Sequence, residues 1–196
     1  EYCKGEILMN KVIINGNDLR LEDIVNVARN NYQVEISEEA IKRVEKSRGI
    51  VDKIVEEDRV VYGITTGFGK FSDVSISGED CKTLQRNLII SHACGFGDSL
   101  DTDIVRTIIL LRANALSKGY SGIRLSTLQT LVAMLNKGVH PIIPEKGSLG
   151  ASGDLAPLSH MVLPMIGEGE AEYQGKIISG REAMNKAGIE VVQLIA

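Results

Sequence analysis

The sequence predicts a mainly α-helical chain with small β elements, and three features support that. Several segments repeat apolar residues at the three-to-four-residue spacing that lines one face of a helix. Trp is absent and aromatic residues make up only 4%, while Ile, Val, Leu and Ala dominate, a palette suited to helix packing more than to a β-sandwich. Capping residues and glycines fall where the periodic segments start and stop.

In chain order, Val12-Ile13-Ile14 before Asn15-Gly16 reads as a short strand entering a turn. A helix is expected over 21–29, with Leu21, Ile24, Val25 and Ala28 on its apolar face. Ser37 is placed to cap a longer helix over 38–57, striped by Ile41, Val44, Val51, Ile54 and Val55. The segment 60–70 breaks the pattern with Gly63, Gly67 and Gly69 and reads as a loop that lies against a ligand or moves. Ser77 and Asp80 form a variant capping box for a helix over 78–93, with His92 in its last turn and Gly95-Phe96-Gly97 stopping it.

Asp101 begins a helix over 102–118, whose spacing puts Ile104, Ile108, Leu111 and Ala115 on the buried face, with Gly119 as terminator. Another runs over 125–137 through Leu128, Leu131 and Leu135 and ends at Gly138. His140-Pro141-Ile142-Ile143-Pro144 is extended, because each proline biases its predecessor away from helix. Residues 154–166 read as a helix with Pro157 in the first turn, where a missing N–H costs little. A hairpin over 170–178 turns at Gln174-Gly175, and Ser179 caps a short helix to Lys186.

The chain has 196 residues, 43% hydrophobic and 24% charged, which fits one soluble domain or part of a larger one. A formal net charge of −4 without a basic stripe argues against nucleic-acid binding. No apolar run approaches the roughly 18 residues of a membrane span, and the N-terminus lacks signal-peptide architecture. Cys3, Cys81 and Cys94 are odd in number and lack disulfide or metal spacing, which points to a reducing cytoplasm. Met9 reads as a natural start, so 1–8 is expected to be an upstream extension and 9–196 the body of the chain. The apolar run over 191–196 has no terminator, which points to a partial polypeptide.

Three familiar chemistries fail on spacing. Gly63 to Lys70 is superficially like a phosphate-binding loop, but the pattern needs Gly where Ile64 stands and Ser or Thr where Phe71 stands. Ser152 as a hydrolase nucleophile needs a glycine at 154, which is Asp. His92, His140 and His160 lack metal-ligand spacing, and each alone fits a capping or hydrogen-bonded buried imidazole, so no metal is expected.

Gly147-Ser148-Leu149-Gly150-Ala151-Ser152-Gly153-Asp154 stands apart. It is too small to pack a core and too glycine-rich for a helix interior. Bent sharply, it brings the amide nitrogen of Gly153 toward the carbonyl carbon of Ala151. Ring closure with loss of water, then loss of the Ser152 hydroxyl, leaves an exocyclic methylene on a five-membered imidazolone. That group is an electrophile no unmodified side chain provides, and Asp154 is placed to move the protons.

The run Gly147 to His160 resembles the signature of the aromatic amino acid ammonia-lyases and related aminomutases. The likeness extends along most of the chain. Residues 62–69 resemble that family's tyrosine loop, 84–95 are similar to its selectivity helix, and 140–147 resemble the lead into its cofactor segment. The resemblance implies a helical ammonia-lyase-type fold, truncated here before the long central helix bundle. It implies a 4-methylidene-imidazole-5-one formed from Ala151-Ser152-Gly153, Tyr62 as the base for the β-proton, and Asp154 assisting. Ser91-His92 resembles the pair of the histidine-specific members, whereas His-Leu and Phe-Leu stand there in tyrosine and phenylalanine enzymes. A histidine at this place hydrogen-bonds a substrate imidazole, which an apolar pair cannot do.

The implied reaction is non-oxidative deamination of L-histidine to trans-urocanate and ammonia, the first step of histidine degradation, in a cytoplasmic homotetramer whose sites combine residues of several subunits. The alternatives are a tyrosine or phenylalanine ammonia-lyase or aminomutase, or an inactive piece lacking the later site residues. On the family pattern those residues lie past Ala196, and the chain represents about four-tenths of a typical member.

Overall fold

The computed structural model describes residues 10–66 and 78–194, the side chains of 78–81 excepted. Helices dominate, in the order β1 (Lys11–Ile14), α1 (Leu21–Asn30), β2 (Gln33–Ile36), α2 (Glu38–Glu56), α3 (Gly78–His92), β3 (Phe96–Ser99), α4 (Thr102–Leu116), α5 (Leu125–Lys137), β4 (Val139–Pro141), β5 (Pro144–Lys146), α6 (Leu155–Val162), β6 (Glu170–Tyr173), β7 (Lys176–Ser179) and α7 (Gly180–Lys186). The expected mainly α class with small β elements is the one observed. The Glu1 to Leu8 extension, the glycines at 67 and 69, and the Ser77–Asp80 capping box lie outside the described residues or side chains.

The core is built on α4 and α5, whose Ile109, Leu110, Leu128, Met134 and Leu135 are fully buried. Against them pack β1, through Val12 and Ile14, and β2, through Val34. β1 and β2 are parallel, with Val12 opposite Val34, so β1-α1-β2 is a small βαβ unit. β2 did not stand out in the sequence, because four residues alternating Gln33, Val34, Glu35, Ile36 give too short a pattern. Its open edge is covered by a side chain: Asn136 of α5 donates to Val34 O at 2.9 Å and accepts from Val34 N at 2.8 Å.

Two helix faces differ from expectation. In α4, Ile104 and Leu111 are 44% and 46% exposed and Ala115 is also exposed, while Val105, Arg106, Ile109, Leu110 and Ala113 turn inward. Apolar residues occupy almost every position from 104 to 111, so spacing cannot select a face there. The buried Arg106 then marks the inner face against its own polarity. In α1, Leu21 is 82% exposed and Val25 48%, whereas Val27 and Ala28 are buried. α2 keeps Val44 and Ile54 of its stripe buried, with Ile41, Val51 and Val55 at its margin.

The helix expected over 154–166 is divided. α6 stops at Val162 and a single 3-10 turn follows at Pro164–Ile166, since Pro164 has no N–H to continue the ladder. The expected hairpin exists as β6 and β7 turning at Gln174-Gly175, but β4 joins it, giving a three-stranded sheet in the order β4-β6-β7. Ser179 caps α7 as expected, accepting from Glu182 N at 3.3 Å. β3, which follows α3, pairs antiparallel with β5, Phe96 opposite Lys146, and so sets the end of α3 beside the start of the small-residue run, which follows β5.

Candidate functional site

The last turn of α3 presents Ser91 and His92. Ser91 Oγ donates to Leu88 O at 2.9 Å and lies 3.2 Å from His92 Nδ1. His92 Nδ1 is itself 2.8 Å from Leu88 O. A carbonyl oxygen only accepts, so Nδ1 carries the proton. In the neutral ring, Nε2 is then a bare acceptor on a half-buried imidazole.

Immediately beyond, the Gly95 N–H donates to Nε2 of His160 on α6 at 3.0 Å. Burial pushes the His160 pKa down, which favours the neutral, accepting ring. A side chain at Gly95 would crowd its neighbours: a Cβ there would lie 3.1 Å from His160 Nε2 and 3.2 Å from both Lys146 O and Pro144 Cβ. Gly147 meets it from the other side, where a Cβ would sit 3.2 Å from Gly95 Cα and from Ala156 Cβ. Lys146 Nζ stands 5.6 Å from the centre of the Phe96 ring and completes the seam. The end of α3, the β3–β5 pair and α6 therefore meet at one tight junction.

The small-residue run leaves that junction at Gly147 and re-enters it at Ala156. Gly150 is left-handed, with φ +73°, and residues 151–154 form a turn. The turn comes back on itself: a Cβ on Gly153 would lie 2.6 Å from Ser148 Oγ and 3.4 Å from both Gly150 O and Leu149 N. Ala151, Ser152 and Asp154 are exposed. Asp154 stands at the N-terminus of α6 without making a side-chain cap bond, and its backbone carbonyl accepts from Leu158 N at 3.0 Å. It lines a mostly apolar cavity of about 310 Å³ with Arg112, Leu116, Thr127, Leu155 and Ser159.

Tyr62 stands on a different loop and is 61% exposed. Thr65 shapes that loop, its Oγ1 accepting from Val61 N at 2.9 Å, and Thr66 is buried beneath it. Gly63 and Ile64 line a cleft of about 270 Å³ with Arg48, Gln85 and Arg124; Ile123 and Thr127 form walls of both this cleft and the Asp154 cavity. Of the residues singled out in the sequence, the junction links Ser91 and His92 to the turn holding Ala151, Ser152, Gly153 and Asp154. Tyr62 is not brought to that junction; it directly precedes Gly63 and Ile64 of the neighbouring cleft.

A second polar cluster braces the lead into this segment. The Arg106 guanidinium is buried and donates to Val27 O through Nη2 at 2.7 Å and Nε at 3.0 Å, and to Leu135 O through Nη1 at 3.0 Å. Nη1 also lies 3.1 Å from His140 Nε2, which must accept, so His140 Nδ1 holds the proton donated to Glu172 Oε2 at 2.8 Å. Burial lowers the His140 pKa, more than its hydrogen bond and charge interaction with Glu172 raise it. Burial alone would raise the Glu172 pKa, but the hydrogen bonds from His140 and Gly175 N bring it below the ordinary carboxylate value. These interactions tie the ends of α1 and α5 to β4, β6 and the hairpin turn. The sequence offered no periodic signal for Arg106 or Glu172; the one clue was an arginine inside a run of aliphatic residues.

Among the described residues no helix is long and apolar enough to cross a membrane, and no group of metal-ligating side chains gathers. A family model described as "Aromatic amino acid lyase" matches residues 19–196. Histidine ammonia-lyase of Alkaliphilus oremlandii is 69% identical over 186 residues, which is 95% of this chain and 37% of that protein. Among solved structures, histidine ammonia-lyase from Trypanosoma cruzi aligns with a TM-score of 0.87 at 37% identity, over 95% of this chain and 36% of its own. The ergothioneine-degrading enzyme ergothionase from Treponema denticola aligns with a TM-score of 0.89 at 38% identity, over 95% of this chain and 37% of its own. The chain thus spans a little over a third of the length of these relatives.

Proposed function

Because the chain belongs to the aromatic amino acid lyase family, we propose that it is the portion of a histidine ammonia-lyase that carries the electrophile-forming segment and the imidazole-binding histidine. The whole protein converts L-histidine to trans-urocanate and ammonia, the first step of histidine degradation. The observation that carries this reading is His92 at the end of α3, with Nδ1 committed to Leu88 O and Nε2 left to accept.

Residues 151–153 fit the methylidene-imidazolone that the family resemblance implies. The left-handed Gly150 bends the chain, and Gly153, lacking a side chain, lets the turn return against Ser148 and Leu149. Once formed, the ring supplies an electrophile that makes the substrate amine a better leaving group. The remaining work falls to side chains. His92 Nε2 accepts the N–H of the substrate imidazole and fixes its orientation; Ser91 Oγ, bonded to Leu88 O, stiffens the same turn. Tyr62 takes the substrate β-proton from its exposed position on the neighbouring loop, and Asp154, free of any capping role, exchanges protons at the carboxylate beside the turn.

The family resemblance also supports a cytoplasmic homotetramer for the full-length protein, with each site completed by residues that follow Ala196 and by neighbouring subunits. The test is turnover by the full-length protein of L-histidine beside L-tyrosine and L-phenylalanine. Urocanate and ammonia are expected from histidine, with the other two, which lack the imidazole N–H, turned over about 10,000-fold less well, the scale on which a site built to hydrogen-bond a substrate N–H rejects an analogue without it. His92→Phe is expected to collapse the histidine reaction. Undiminished histidine turnover by that variant, or preference for an aromatic hydrocarbon side chain, refutes the assignment.

A further inference from the structure

We infer that His160 is a positioning residue that sets the distance between the imidazole-binding His92 and the Ala151–Gly153 turn. The inference rests on the histidine ammonia-lyase reading and adds to it a residue that touches neither substrate nor turn. His160 lies on α6, which starts directly after Asp154, and its Nε2 accepts the N–H of Gly95, which follows the last turn of α3. The bond therefore spans the two elements that hold the two halves of the site.

Three details make this bond a spacer and not a general brace. Gly95 meets Pro144, Lys146 and His160, and Gly147 meets Gly95 and Ala156, at separations where an added methyl would already crowd its neighbours. The two backbones are closely packed, and the His160 imidazole adds a side-chain hydrogen bond between the end of α3 and α6 that the β3–β5 pairing does not supply. The accepting ring form is favoured by burial, so the bond needs no charged partner. Finally, His92 lies three residues before Gly95 and Ser152 five residues after Gly147, so a shift at the junction passes to both. Since the substrate's ring is held at one end and its amine reacts at the other, a small change in this distance weakens binding in the productive pose.

The experiment compares His160→Leu, which removes the acceptor, with His160→Gln, whose amide oxygen reaches the same place, in the full-length protein. Gly95→Ala is the second probe, crowding the junction while His160 remains. Each is measured for KM and kcat with L-histidine, for the peptide mass across Ala151–Gly153, and for hydrogen exchange of the Gly95 amide. In His160→Leu the ring forms as in the parent, the Gly95 amide loses protection, and KM rises about tenfold, the scale of one lost hydrogen bond. His160→Gln restores KM to within about threefold of the parent, and Gly95→Ala raises KM as His160→Leu does. An unchanged KM in His160→Leu with an unprotected Gly95 amide overturns the inference, as does a defect confined to ring formation. Failure of the parent protein to turn over histidine refutes the functional reading, while Gly95 exchange still reports whether the junction depends on His160.

Discussion

Replacing Arg106 by Met should destabilise the chain more than any other single charge removal outside the site. The change keeps the length and flexibility of the side chain but removes every donor it offers. Val27 O, Leu135 O and His140 Nε2 are left inside the protein without the guanidinium that now serves them. Each abandoned buried acceptor costs about 1–3 kcal/mol. Arg106 itself pays a burial penalty, visible in its lowered pKa, and removing it returns part of that. The net loss is therefore about 2–4 kcal/mol, the cost of three abandoned acceptors less the desolvation returned. For a chain of this size that is a fall in Tm of about 10 °C. Urea denaturation followed by circular dichroism measures it, with Arg29→Met as control, because Arg29 pairs with Asp103 on the surface. A loss below about 1 kcal/mol, or one no larger than the control's, refutes the claim that this network ties α1 and α5 to the β4-β6-β7 sheet.

Stability should fall as the solution is acidified. His140 and His160 are both held below their ordinary pKa of 6.5 by burial, so below that pH the unfolded chain takes up protons that the folded chain resists. Their contribution is complete above pH 6.5 and is lost as pH falls through that value toward their folded pKa values; Glu172, held below its ordinary 4.5, adds a further loss below pH 4.5. Denaturation midpoints at a series of pH values check this, and stability that rises between pH 7.5 and about 5.5 contradicts it. Gly180→Ala should cost about 1–3 kcal/mol, because a methyl there runs into the Glu168 carbonyl oxygen and stands 2.8 Å from Pro164 Cα, both backbone atoms. Thermal melts resolve a change of that size, and a neutral result would mean that the start of α7 does not pack against the 3-10 turn at Pro164–Ile166.

The sequence was most informative where one physical signal dominated. α2, α5 and α7 were legible through Ser37 and an apolar stripe, a leucine stripe ending at Gly138, and the Ser179 cap respectively. The small-residue run was legible because no packing role suits it. The inner face of α4 was not, since aliphatic residues surround that helix and only tertiary contact decides which turn inward. β2 and β3 were missed because four-residue strands owe their form to their partners, β1 and β5, more than to local pattern. Within the site, Ser91 and His92 could be singled out by the segment they occupy, but His160 could not be given its partner. Its bond to Gly95 crosses 65 residues of sequence, and nothing near either residue announces it.

The central claim is that Ala151-Ser152-Gly153 closes on itself to make the electrophile of a histidine-deaminating enzyme. The mass of the proteolytic peptide spanning residues 147–160, taken from full-length protein shown to release urocanate, tests it directly. A peptide lighter than its sequence by two water molecules, and a Ser152→Ala counterpart that lacks the methylidene and the activity, is the expected result. An unmodified peptide mass in protein that still turns over histidine would contradict it.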